Sequence, residues 1–227
     1  MRWLLLWMSA LVALPAWSAD GEAILQDRCA QCHALEGPPP QTLAALAARK
    51  GPDLFYAGVK YKAEWMEAWL QAPRRIRPAG MFYPNHVRTG ADGQDVIDEA
   101  SLVDHPRLDA AEAEAVVRAL MNKRAAPGEV SPGSYKPGRI SMRMGELMFD
   151  KFKGCLACHQ IEPGYGGLSG PEVYTVANRL QDDYLVSYLS NPQAWDPKIF
   201  MPNKALKARD IQKFIHYFHA LAKEVKP

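Results

Sequence analysis

The chain holds four cysteines, and all of them fall in two pentapeptides, Cys29-Ala30-Gln31-Cys32-His33 and Cys155-Leu156-Ala157-Cys158-His159. Two thiols one helical turn apart can reach the two vinyl groups of one porphyrin and form thioethers. The histidine that follows is then held against the iron, so Cys-x-x-Cys-His is the attachment pattern of c-type haem. Three other uses of these residues compete. Cys-x-x-Cys disulfides are usually catalytic, and neither pentapeptide sits in a thioredoxin-like strand–helix context. One zinc site would have to join cysteine pairs 126 residues apart, and zinc would not require the following histidines. Chance explains one such pentapeptide tolerably and two very poorly. The reading is two covalently bound haem c groups, attached at Cys29, Cys32, Cys155 and Cys158, with His33 and His159 as proximal iron ligands.

The rest of the chain repeats. A shift of 119 residues sets Gly51-Pro52-Asp53-Leu54 on Gly170-Pro171-Glu172-Val173, Lys60 on Arg179, Trp65 on Tyr184, Trp69 on Tyr188 and Pro73 on Pro192. One further residue of shift brings Met81 onto Met201. Internal similarity of this kind means a duplicated domain.

The elements that must position these residues read as helices. One leads into each motif, over Gly21 to Arg28 and Arg143 to Phe152. A middle helix runs from Lys62 to Gln71, with a counterpart from Asp182 to Ser190, each stopping before a proline. A closing helix follows over Asp109 to Asn122 and over Ala208 to Lys223. In the last of these Ile211, Phe214, Ile215 and Phe218 recur at helical spacing and give one buried face. No run alternates convincingly enough to predict a strand. A stretch rich in Pro, Gly and Ser, Pro127-Gly128 through Pro137-Gly138, reads as a linker.

At the N-terminus Arg2 precedes an apolar run from Trp3 to Trp17, and small residues follow at Ser18 and Ala19. That pattern describes a cleaved secretory signal peptide over residues 1–19 and places the protein in the periplasm. The run is shorter than the roughly 20 residues a spanning helix needs, and no later stretch replaces it, so no membrane span is expected after cleavage. With 27 basic and 25 acidic residues in the whole chain, the balance gives no support to nucleic-acid binding, which needs a concentrated basic patch. The charge is unevenly placed: residues 20–121 carry 11 basic and 15 acidic side chains, and residues 141–227 carry 11 and 9. That contrast bears on docking and not on fold.

With these motifs in order, each half resembles a class I cytochrome c: helix, CxxCH, Gly-Pro loop, middle helix, Met-bearing loop and terminal helix. Together they resemble the bacterial two-domain diheme cytochromes c, of which the cytochrome c-four group is the best-known example. The resemblance implies an all-α fold of two tandem class I cytochrome c domains, duplicated and joined by the Pro/Gly-rich linker. The expected boundaries are 20–124 for the first domain, 125–140 for the linker and 141–227 for the second domain. It implies Met201 and Met81 as sixth iron ligands, with His86 a rival to Met81; a thioether ligand favours ferrous iron and raises the potential. It also implies that the carbonyls of Pro52 and Pro171 accept the Nδ1–H of His33 and His159, with Pro38, Pro39 or Pro40 a rival to Pro52. Lys60 and Arg179 would face haem propionates, or else be solvated surface charges.

One departure separates the halves. The second passes from Met201 to its closing helix within a few residues, whereas the first inserts about 82–107, carrying His86, His105, Asp92, Asp95, Asp98 and Glu99. Long insertions of this kind are often functional, and the bland alternative is a surface loop over the haem edge. The expected function is single-electron transfer between redox proteins. The upstream partner would be a dehydrogenase or quinol-oxidising complex, and the downstream one an oxidase, a reductase or another cytochrome. The alternative is a haem enzyme or catalytic-complex subunit, of diheme peroxidase or sulfur-compound oxidoreductase type, with a displaceable ligand at the first haem.

Overall fold

In the computed structural model, which describes residues 19–224, local sequence signals place the helix boundaries. The signal peptide expected over residues 1–19 lies, apart from Ala19, outside the described residues. The Asp20 carboxylate accepts from the backbone N–H of Glu22 and of Ala23 and starts the helix Gly21–Ile24. Asp109 and Glu112 form a reciprocal capping box at the start of Ala110–Asn122, satisfying two amide donors that the first turn leaves without partners. Ser141 caps Met142–Leu147 by a single bond, accepting from the Met144 N–H. Both leading helices then widen into a π turn, Leu25–Cys29 and Met148–Phe152. The middle helices Ala63–Gln71 and Asp182–Ser190 stop two residues short of Pro73 and Pro192, because proline cannot follow an α-conformation without a clash.

In each half the leading helix crosses the closing helix at a glycine. A Cβ on Gly21 would lie 2.0 Å from the Ala115 carbonyl oxygen, and a Cβ on Gly145 would lie 2.1 Å from the Tyr217 ring. The first crossing is therefore backbone on backbone, and the second is backbone on an aromatic face. Around the first lie Leu25, Met66, Leu70, Val116, Val117 and Leu120. Around the second the rings of Phe149, Phe214, Tyr217 and Phe218 pack at 6.1–6.5 Å between centroids.

The expectation of an all-α fold is overturned. The described residues contain two small antiparallel sheets of two strands each: Val87–Thr89 pairs with Asp95–Ile97, and Gln160–Glu162 with Tyr165–Gly166. The chain is mixed, helical with short hairpins, and not an all-α pair of class I domains. Strands of two or three residues are too short to show the alternation by which a strand is recognised. Their only sequence signals are the turns, Asp92-Gly93 and Pro163-Gly164, whose glycines take φ of +79° and +80°, a region that glycine enters without strain.

The halves meet through equivalent segments. Tyr61 bridges Leu180 in antiparallel fashion, and these two residues are equivalent under the shift of 119. The Lys62 N–H donates to the Arg179 carbonyl and the Gln181 N–H to the Lys60 carbonyl, each at 2.9 Å. Lys62 Nζ donates to the Ala177 carbonyl at 2.6 Å, and Gln181 Nε2 donates to the Gly58 carbonyl at 3.1 Å. Each bond maps onto its partner under the same shift, so a local two-fold axis runs between Tyr61 and Leu180. Beside it Tyr56 and Tyr184 pack on the fully buried Trp195, at 5.3 and 4.6 Å. Arg49 bridges Asp53 at 2.6 Å and Asp196 at 2.7 Å, all three side chains nearly buried. The linker is fastened too: the Asp183 carboxylate accepts from Gly133 N–H, Ser134 hydroxyl and Tyr135 N–H.

Candidate functional site

Behind each Cys-x-x-Cys-His pentapeptide the structure builds one arrangement twice. His33 Nδ1 lies 2.7 Å from the Pro52 carbonyl oxygen, and His159 Nδ1 lies 2.7 Å from that of Pro171. A carbonyl can only accept, so Nδ1 carries the proton and the lone pair sits on Nε2. The preceding glycine makes this approach possible. A Cβ on Gly51 would sit 2.4 Å from the His33 ring, and one on Gly170 would sit 2.6 Å from the His159 ring. Glycine therefore admits the imidazole, and proline, having no N–H of its own, presents the acceptor. Burial pushes both imidazoles below their ordinary pKa, while the carbonyl bond opposes the shift. The neutral ring with a free Nε2 is the form that ligates a metal.

The cysteines lie beside these rings. Cys29, Cys32, Cys155 and Cys158 are all free thiols, with Cys32 and Cys158 exposed. Burial pushes the Cys29 and Cys155 thiols above the ordinary cysteine range, against Arg28 in the first case and Lys204 in the second. Redox-catalytic Cys-x-x-Cys pairs depend on the opposite shift, toward thiolate. The observed direction disfavours thiol–disulfide catalysis at Cys29 and Cys155. Among the described residues, no three His, Cys, Asp or Glu side chains gather as a metal-binding group.

The remaining expected residues fall in less uniform places. Lys60 Nζ lies over the rings of Tyr56, Tyr61 and Tyr184, at 5.3, 4.9 and 5.9 Å. Arg179 is buried and already partnered: Nη2 lies 3.2 Å from Glu172 Oε1 and 2.6 Å from the Glu172 carbonyl, and Nε donates to Thr175 Oγ1 at 2.9 Å. Arg49 Nε is buried with no hydrogen-bond partner among the described residues. Lys60 and Arg49 thus keep capacity for the carboxylates of a bound group, and so does Arg77, which is half-buried near His159 with no side-chain ion pair among the described residues. Met201 sits in a loop whose backbone is held by Gln193 Nε2, 2.8 Å from the Met201 carbonyl. Met81 lies between Gly80, covered by the His86 ring, and Phe82, which packs on Phe200 of the other half at 5.5 Å. His86 turns into the insertion, where Nδ1 meets Ser101 Oγ at 2.9 Å.

His105, which the sequence placed in the insertion without a role, stands against the first motif. The His105 ring centre lies 6.1 Å from that of His33 and 4.6 Å from Trp69 of the middle helix. No protein-family model, curated protein or solved structure matches the chain.

Proposed function

We propose that the chain is a periplasmic diheme c-type cytochrome that passes single electrons between redox proteins. The observation that supports this best is the repeated unit of a CxxCH histidine, a carbonyl acceptor behind its Nδ1 and a glycine that admits the ring. Each thiol of Cys29, Cys32, Cys155 and Cys158 would add S and H across one vinyl double bond of a porphyrin, fixing it beside His33 or His159. A bound haem supplies the one-electron ferric/ferrous couple. The protein's part is to hold each imidazole in one tautomer, keep water from the ring and tune the potential through the sixth ligand. At the second site that ligand is Met201. Among the described residues no helix is long and apolar enough to cross a membrane.

Partners would be redox proteins that meet the molecule briefly, since electron-transfer contacts are small and depend on charge for encounter. The insertion's Asp92, Asp95 and Asp98 lie on or beside the first hairpin, whereas Glu99 is paired with Arg75 at 2.8 Å. The hairpin would therefore dock a basic partner. A reductive titration tests the function. It should take up two single electrons per chain, with no turnover of peroxide and no shift on adding carbon monoxide. Rapid peroxide turnover would place the protein among haem enzymes.

A further inference from the structure

The distal side of the first haem site is the least symmetric part of the molecule. The shift that superposes the two halves points to Met81, but it runs out at the insertion. Counted back from the closing helices, which begin at Ala110 and Ala208, His105 lies five residues ahead of its helix and Met201 seven ahead of its own, each followed by a proline.

The structure puts His105 close over the first motif and fixes it there. Leu108 N–H donates to the Leu70 carbonyl and Arg107 Nε to the Gln71 carbonyl, each at 3.0 Å. These carbonyls end the middle helix and lack helical partners. Arg28, the residue before Cys29, reaches across with Nη2 to the Arg107 carbonyl at 3.2 Å and with Nη1 to Glu112 at 2.6 Å. The segment carrying His105 is thereby tied to the middle helix, the leading helix and the closing helix at once.

The two imidazoles are also matched. His33 Nδ1 is engaged by the Pro52 carbonyl and His105 Nδ1 by the Pro106 carbonyl at 2.8 Å, which leaves Nε2 free on both rings. An imidazole–metal bond runs about 2.0–2.1 Å and the ring centre lies about another ångström behind the nitrogen, so two imidazoles on opposite sides of one metal have centres about 6 Å apart. The observed separation is 6.1 Å. His86 instead engages Ser101 Oγ, and Phe82, next to Met81, packs on Phe200 of the other half.

Resting on the reading that the chain carries haem, we propose that His105 is the sixth ligand at the first site, so that this iron is held by two histidines and only the second by His159 and Met201. Thioether ligation raises the potential, so the first haem is the lower-potential centre and electrons run downhill from it to the second.

The test is the near-infrared sulfur-to-iron band of the oxidised full-length protein, scaled to haem content. Wild type should show the intensity of one methionine-ligated haem per two haems. Met201→Ala should abolish it, and Met81→Leu and His86→Ala should leave it and both potentials in place. His105→Met should double the band and raise the lower potential. His105→Ala should let added imidazole bind one haem per chain. Wild-type intensity for two methionine-ligated haems, or loss of half the band in Met81→Leu, would overturn the assignment. So would a first haem altered by His86→Ala and untouched by His105→Ala. A chain with no haem would overturn the function itself, which the haem count reads separately.

Discussion

The two halves share a proximal side almost atom for atom and differ on the side opposite it. Behind His33 and His159 the same glycine, the same proline carbonyl and the same 2.7 Å bond recur. Ahead of them, the second half passes from Met201 to its closing helix in a short loop. The first interposes the hairpin Val87–Thr89 and Asp95–Ile97 and arrives at its closing helix with His105. The lesson is that the repeated scaffold keeps the histidine–carbonyl geometry and varies the loop that faces it. The leading–closing helix crossing varies as well, backbone on backbone in one half and backbone on ring in the other.

The strongest perturbation of this pairing is at Arg49. It is the ion-pair bridge between the halves among the described residues, and removing it strips the buried Asp53 and Asp196 of their direct ion-pair partner. Breaking a buried pair in this way costs about 3–5 kcal/mol. Arg49→Ala should lower stability to urea by that order and split one unfolding transition into two, as the halves uncouple. A single transition of unchanged midpoint would show that the five backbone-directed bonds at Lys62 and Gln181 hold the halves without it.

The helix crossings give the next effect, and here the halves should part. Gly145→Ala meets the Tyr217 ring, which can turn aside, and overpacking of that kind costs about 1–3 kcal/mol. Gly21→Ala meets the Ala115 backbone carbonyl at 2.0 Å, which moves only if the whole closing helix moves. Chemical denaturation of the two variants should rank Gly21→Ala as the more damaging. Equal losses would mean that the first crossing is looser than its geometry.

The smallest effect is at the linker. Burial alone would raise the Asp183 carboxyl, but the linker donors Tyr135 N–H, Gly133 N–H and Ser134 outweigh it and hold the pKa below the ordinary value. A depressed carboxyl contributes stability that is present above its unfolded pKa of about 3.9 and is lost as pH falls through the lower folded value. Asp183→Asn should cost about 1 kcal/mol at neutral pH and hasten proteolysis within residues 125–140. The variant should also lose part of the wild-type fall in stability below about pH 4. An unchanged cleavage pattern would show the linker to be held by other contacts.

Much of this was legible in the sequence, and what was missed has physical reasons. The pentapeptides, the Gly-Pro pairs and the middle and closing helices carry fixed spacings or helical periodicity, and each depends on residues close along the chain. The hairpins escaped because two- and three-residue strands leave only their turns as a signal. His105 escaped because the repeat was read from its N-terminal side, where alignment stops at Met81. Read from the closing helix, His105-Pro106 and Met201-Pro202 both fall within the last seven residues before it. Arg49 could not be found at all, since its second carboxylate lies 147 residues away. The linker's composition showed it to be irregular, and nothing local told that Asp183 would fasten it.

The central claim is most directly tested by counting haem on the denatured chain. Pyridine haemochrome analysis of the isolated protein should give two haems per chain. Neither should be extractable by acid acetone, and one should be lost in Cys29→Ala/Cys32→Ala or in Cys155→Ala/Cys158→Ala. A ratio near one or zero in the wild type, or haem that extracts freely, would contradict the account.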